Sequence, residues 1–297
     1  MSALFQTLET RLKTARSGNA KRAVEELAAH VLGCKPLEIY FREISPEQQA
    51  ELEELIVRAE RGEPIQYIIG HVDFRGLEIR CDRRALIPRP ETELLVEEVL
   101  KSKTQSLKPL RIADVGTGTG CIALALLAEL PDAEVIGVDI SPDALALARE
   151  NAERLGLTDR FVTVQGNLLN VDATPSSRSK NGKRDESVAS AFFTEASFDI
   201  VVSNPPYIFS KVLKNLEPCV RDFEPQLALD GGEDGLDLIR PLVEQAARAL
   251  KSGGGLFLEI GYDQGPAIFQ CLENAGFQHV KIQKDFAGLD RIVSGKI

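Results

Sequence analysis

The run Ser203-Asn204-Pro205-Pro206-Tyr207 leaves the apolar stretch Phe198-Asp199-Ile200-Val201-Val202, which reads as a buried strand. Each proline drives the residue before it out of the helical region, so Asn204 and Pro205 are expected to be extended and stiff. The Asn204 side chain and the Pro205 carbonyl then stand in a fixed relation as two hydrogen-bond acceptors. That pair suits the two hydrogens of a planar –NH2 group. An amide nitrogen is a poor nucleophile because its lone pair is delocalised. Accepting both hydrogens orients it towards an electrophile and favours pyramidalisation, with no strong base needed before the attack. Positioning of this kind can supply on the order of 7–11 kcal/mol. Tyr207 is placed to stack on the bound group and face a cation, a contact worth roughly 0.5–2 kcal/mol. The alternative is a Pro-Pro turn that ends a strand, with Tyr207 in the core.

A second group of residues points to the electrophile. Asp114-Val115-Gly116-Thr117-Gly118-Thr119-Gly120 follows a short apolar strand and opens a helix. Glycines there let the chain turn sharply and let a ligand approach the backbone, beside the unpaired N–H groups of a helix start. Asp139 ends the next apolar strand roughly 20 residues on, where a carboxylate can accept from both hydroxyls of a ribose. The spacing is G-x-G-x-G rather than the G-x-G-x-x-G of dinucleotide sites. Asp114 at the loop's entrance would repel a pyrophosphate but can help receive the ammonium of a methionine moiety. The pattern therefore favours S-adenosylmethionine, whose sulfonium methyl is transferred by in-line displacement. Asn167, after the third strand, is a candidate for the adenine edge, with an ordinary turn asparagine as the alternative.

The elements that must position these residues are legible as a pattern. From Arg111 onward apolar strands alternate with helices, as a doubly wound parallel sheet requires. Strands are expected at Arg111–Asp114, Glu134–Asp139, Phe161–Gln165, Phe198–Val202, Gly255–Ile260, His279–Lys284 and Arg291–Ser294. Helices are expected at Cys121–Leu130 and from Pro142 to a stop at Gly156. Before the sheet, Ala20–Leu32 reads as a helix closed by Gly33, and Ser45-Pro46-Glu47-Gln48 as a capping box opening another that Gly62 closes. Gln66–Ile69 and Gly76–Arg80 are expected to be extended, as strands or a hairpin bridging two domains. Asp172–Ser197 is polar and without periodicity, which predicts a flexible insertion.

Composition bounds the function classes. The 297 residues are 43% hydrophobic and 27% charged, with a net charge of -10. An acidic balance argues against nucleic acid phosphates as the main ligand. No apolar run is long enough to cross a bilayer, and no basic-then-apolar leader opens the chain, so a cytoplasmic location is expected. The five cysteines and three histidines are scattered. That predicts free thiols and no metal site.

Taken together these residues resemble the HemK/PrmC-type protein-(glutamine-N5) methyltransferases that modify peptide chain release factors. The likeness runs through Gly62-Glu63-Pro64-Ile65-Gln66-Tyr67-Ile68-Ile69-Gly70, the specific segment Ile87-Pro88-Arg89-Pro90-Glu91-Thr92-Glu93, the glycine loop and the Asn204 motif. It continues in Glu224-Pro225, Ala228-Leu229, Gly232, Gly235-Leu236, Leu258-Glu259-Ile260-Gly261, Asp285, Gly288 and Arg291.

The resemblance implies an α/β fold: a Rossmann-like class I S-adenosylmethionine-dependent methyltransferase domain over 93–297, a small N-terminal helical bundle over 1–75 for substrate recognition, and a hairpin linker over 76–92. It implies class I release factors as the partner and the glutamine of their Gly-Gly-Gln loop as the substrate. Asn204 and the Pro205 carbonyl would hold the amide, with Pro206 and Tyr207 beside it. Asp114, Gly116, Thr117, Gly118, Thr119, Gly120, Asp139, Asn167 and Asn204 would line the cofactor site. Arg89 and Glu91 are expected at the mouth of the site, or as an ion pair fixing the linker. The family commonly carries an acidic residue where Asn167 stands, and a shorter tract than Asp172–Ser197.

Two other readings share the motifs. An amino-methyltransferase of DNA or RNA bases uses the same Asn-Pro-Pro-Tyr run, but the acidic charge and the lack of a target-recognition segment weigh against it. A non-catalytic S-adenosylmethionine-binding factor would keep the glycine loop without needing Asn204.

Overall fold

The computed structural model describes residues 2–15, 18–102, 109–171 and 196–297. All but the last two residues of the expected insertion at Asp172–Ser197 lie outside the described residues.

Helices α1 (Ser2–Ala15), α2 (Ala20–Leu32) and α3 (Pro46–Glu60) close around Leu8, Leu12, Leu27, Leu52 and Ile56. Their ends follow the sequence signals. Asn19 accepts from the Arg22 N–H at the start of α2, and Gly33 closes it in the left-handed conformation. Ser45 and Gln48 form the capping box, with Pro46 as the first helical residue. One expectation fails. Ile65–Ile69 is a short helix, α4, not a strand. The Pro64 carbonyl accepts from the N–H groups of both Tyr67 and Ile68. Ile65, Tyr67 and Ile68 are all buried, which strict alternation across a strand would not allow, and Gly70 stops the turn at φ 87.

A hairpin of β1 (His71–Phe74) and β2 (Leu77–Arg80) follows. Its first strand thus falls before the division at 75/76. Phe74 and Ile79 insert into the core of the next domain.

That domain contains α5 (Thr92–Lys101), β3 (Arg111–Val115), α6 (Cys121–Glu129), β4 (Glu134–Asp139), α7 (Pro142–Leu155), β5 (Phe161–Asn167), β6 (Asn170–Val171) and β7 (Phe198–Ser203). It continues with α8 (Pro218–Arg221), α9 (Ile239–Ala249), β8 (Leu250–Glu259), α10 (Gly265–Asn274), β9 (Gln278–Lys284) and β10 (Asp290–Lys296). The strands form one sheet in the order β6-β5-β4-β3-β7-β8-β10-β9. Pairing is parallel from β5 through β8, while β10 lies antiparallel between β8 and β9.

Alternate residues of each central strand face opposite layers. Ile112, Val135 and Ile200 pack on the α5 and α6 side. Ala113, Ile136 and Val201 pack on the α9 and α10 side. The chain runs from β3 out to β5 and returns on the other side of β3, so the carboxyl ends of β3 and β7 flank the switch point where such sheets bind ligands. Among the described residues no helix is long and apolar enough to cross a membrane.

Candidate active site

A cavity of about 240 Å³ opens at this edge. Gly116, Thr117, Gly118 and Thr119 line it from the loop after β3, Asp139 and Ile140 from the end of β4, and Asn167 and Leu168 from the end of β5. Asn204 and Pro206 face it from beyond β7. A strap from Arg84 to Arg89 lines it as well, and of these residues only Arg89 was expected at the mouth of the site.

The glycine loop is shaped by its glycines and held by the end of β4. Gly116, Gly118 and Gly120 all have positive φ, at 72, 55 and 81, which only glycine adopts readily. The Val138 carbonyl accepts from both Gly116 and Thr117 N–H. Asp139 ties the loop to β4: its Oδ2 accepts from Gly118 N–H and its Oδ1 from Ser141 N–H, each at 2.9 Å. Burial raises its pKa while these two N–H groups oppose the rise. A carboxylate offers about four lone-pair sites, so each oxygen keeps one for a ligand.

Several expected residues stand elsewhere. Asp114 does not line the cavity; it is fully buried beneath the loop, its Oδ2 accepting from the Thr117 hydroxyl at 2.7 Å. Among the described residues its Oδ1 has no hydrogen-bond partner, and burial pushes its carboxyl up to about 7 against the pull of Thr117 and the Ala123 N–H. Gly120 serves packing, since a Cβ there would lie 3.2 Å from that of Ala148. Pro205 is buried, and Glu91 is exposed at the N-cap of α5 without a side-chain capping bond. The Tyr207 ring packs against the core beside the sheet, and its hydroxyl lies 3.4 Å from Glu259 Oε1. Burial, with the Glu259 charge behind it, pushes that hydroxyl's pKa up to about 12.

Asn204 is fixed from behind. Its Nδ2 donates to Thr92 Oγ1 at 3.2 Å, and the Thr92 hydroxyl donates to Glu259 Oε2 at 2.7 Å. Thr92 and Glu259 are 2% and 1% exposed, so water does not compete for the bond between them. Burial raises the Glu259 pKa, with Thr92 and the Arg291 charge opposing. With its nitrogen committed, the Asn204 amide has its oxygen left to accept.

Arg89 both lines the cavity and pairs with Glu224, whose other oxygen accepts from Ile87 N–H at 3.2 Å. Beyond Asn204, Gln264 donates to the Tyr207 and Gly235 carbonyls at 3.0 and 3.2 Å. A Cβ on Gly231 would stand 2.7 Å from Tyr207 Cα.

Residues 3–70 match the PrmC N-terminal domain, and residues 107–275 match a methyltransferase domain. The release factor glutamine methyltransferase of Caulobacter vibrioides is 42% identical over 274 residues, covering 92% of this chain and 87% of that protein. The chain belongs to the release factor glutamine methyltransferase family.

Another member, from Geobacter sulfurreducens, is 37% identical over 282 residues, covering 94% of this chain and 90% of the relative. A methyltransferase from Pyrococcus furiosus shares the fold, with a TM-score of 0.50 at 20% identity over 74% of this chain and 89% of that one. In this member of the release factor glutamine methyltransferase family, Thr92, Glu224, Glu259 and Gln264 surround the candidate site without having been given roles from sequence. The signal for Glu259 was a single carboxylate closing the apolar run Leu256-Phe257-Leu258. A charge at the end of a buried strand needs a partner.

Proposed function

We propose that this chain methylates the side-chain amide nitrogen of the glutamine in the Gly-Gly-Gln motif of class I peptide chain release factors, with S-adenosyl-L-methionine as donor. One observation carries the reading: Asn204 lines the cavity beside the glycine loop with its nitrogen held by Thr92, so that its oxygen is the atom free to accept a substrate N–H.

The donor set fits the cofactor. Asp139 keeps lone pairs for a ribose, Ile140 and Leu168 offer apolar walls for a base, and Gly116 has open space where a Cβ would stand. When bound, the cofactor supplies a methyl group on a sulfonium. Asn204, with the Pro205 carbonyl, holds the glutamine –NH2 so that its nitrogen faces that methyl, and the proton leaves after transfer. Gly116 to Thr119 and Asp139 orient the donor, and the strap from Arg84 to Arg89 limits access of water. Asp114 supports the loop from beneath. The N-terminal helices would receive the release factor. Leu37 and Phe41, 78% and 90% exposed, give that unit an apolar surface for the contact.

Purified protein, labelled S-adenosyl-L-methionine and a release factor test this directly. Label is expected on the Gly-Gly-Gln glutamine and lost when that glutamine is replaced by alanine. Label in DNA or RNA, or none on the release factor, would overturn it.

A further inference from the structure

The amide of Asn204 carries two opposite chemistries, and a half-turn of its terminal torsion exchanges them at almost no steric cost. Only the oxygen can accept from a substrate –NH2; the nitrogen would meet it donor to donor. Rigid prolines fix where the amide stands but not which way round it is. Something behind Asn204 must decide.

The decision can be traced through two buried groups. The Glu259 carboxylate accepts and does not donate when ionised, and both of its oxygens lie within reach of a hydroxyl: Thr92 at 2.7 Å and Tyr207 at 3.4 Å. Arg291 adds positive charge on this side and Glu91 negative charge. Thr92 has one proton. Once it is given to Glu259, Thr92 Oγ1 can only accept, and the donor 3.2 Å away is Asn204 Nδ2. The Asn204 nitrogen is therefore drawn inward and its oxygen is turned to the cavity. Thr92 is itself set by the first turn of α5, where its N–H donates to the Arg89 carbonyl.

We propose that Thr92 and Glu259 are positioning residues, whose one-way hydrogen-bond chain holds Asn204 with its oxygen towards the substrate. This rests on the amide-holding role of Asn204 proposed above.

Glu259→Gln is the discriminating variant, because it keeps size and a hydrogen bond but removes the one-way character. A glutamine can donate to Thr92, which then sends its own proton to Asn204 Oδ1 and leaves Nδ2 facing the cavity. Expected is a fall in kcat on a release factor of tenfold or more, cofactor affinity within twofold, and a melting temperature unchanged or higher, since a buried carboxylate is gone. The reversed amide should also welcome an acceptor. A release factor carrying Gln→Glu in its Gly-Gly-Gln motif should therefore inhibit Glu259→Gln at least fivefold more tightly than it inhibits the parent enzyme.

Thr92→Val should lose kcat to a similar extent, and Thr92→Ser should restore it to within threefold; this pair carries the test even where Glu259→Gln fails to fold. If Asn204→Ala retains turnover, the amide-holding reading itself fails. If Asn204→Ala is inactive but Glu259→Gln or Thr92→Val keeps kcat within twofold, without tighter binding of the Gln→Glu release factor, the positioning chain alone is overturned.

Discussion

The Arg89 guanidinium donates to the Glu224 carboxylate across 135 residues of sequence, joining the strap over the cavity to the segment that follows α8. Glu224 also accepts from Ile87 N–H, and its side chain is 1% exposed against 33% for Arg89. Arg89 thus takes part in an ion pair and lines the cavity at once.

Among the described residues, Arg89→Ala would leave the Glu224 carboxylate with one donor, from Ile87, in a nearly dry setting. Removing one partner of a buried hydrogen bond typically costs about 1–3 kcal/mol. Urea unfolding should show a loss of that size. Titration with S-adenosyl-L-methionine should show weaker binding, because Ala85 to Pro88 form part of the cavity wall. Unchanged cofactor affinity would mean that the strap keeps its place without the pair.

Asn204→Ala removes the proposed acceptor and touches neither the glycine loop nor Asp139. Turnover should fall by about 10²–10³, the scale seen when a group that stabilises the transition state is lost. Binding of S-adenosyl-L-methionine, measured by calorimetry, should stay within a few-fold. A non-catalytic binding factor would show no turnover to lose.

The elements around the site were legible because their signals are local. Apolar runs at Arg111, Glu134, Phe161 and Phe198 became β3, β4, β5 and β7, and Gly33 and Gly156 end helices in the left-handed conformation. The parallel strand order brings the glycine loop, Asp139, Asn167 and Asn204 to one cavity. Relations set by tertiary packing were not legible. Thr92 and Glu259 meet across 167 residues, and no period or motif links them. Asp114 reads in sequence as a loop residue open to ligand, yet it sits under Thr117 with no exposed surface. Ile65–Ile69 turned helical because the N-terminal helices and the strap offer apolar surface on more sides than an alternating strand could use.

Asp114 makes stability depend on pH. Burial pushes its carboxyl from an ordinary 3.8 up to about 7 in the folded chain. Between about pH 4 and pH 7 the folded state holds a proton that the unfolded state has released. Stability therefore falls as pH rises through that window, and the whole penalty stands above it. Asp114→Asn removes the titration and keeps an acceptor for Thr117. In the absence of cofactor the variant should match the parent to within about 1 kcal/mol at pH 5 and exceed it by on the order of 2 kcal/mol at pH 8. Denaturant melts at the two pH values give the comparison, and the subtraction cancels the raised carboxyls of Asp139 and Glu259. A gap that does not change with pH would mean that the Asp114 carboxyl is not raised in the folded chain.

Gly231 and Gln264 clamp the backbone just past the Asn204 turn. Ile208 N–H donates to the Leu229 carbonyl and Gly231 N–H returns a bond to the Ile208 carbonyl, so the two segments run side by side. A Cβ at Gly231 would lie 2.7 Å from Tyr207 Cα and 2.9 Å from Gly235 Cα, both backbone atoms that cannot rotate aside. Gly231→Ala must therefore part the Tyr207 and Gly235 segments, whose carbonyls Gln264 holds at 3.0 and 3.2 Å. Overpacking of this sort costs roughly 1–3 kcal/mol. Its effect on rate should be larger, because the displaced segment carries Asn204, and misplacement by about 1 Å can cost on the order of 10²-fold. Stopped-flow single turnover with cofactor and release factor saturating should show the methyl-transfer step slowed at least tenfold while cofactor affinity holds. If the rate instead follows the stability loss and recovers on cooling, the clamp supports the fold and not the placement of Asn204.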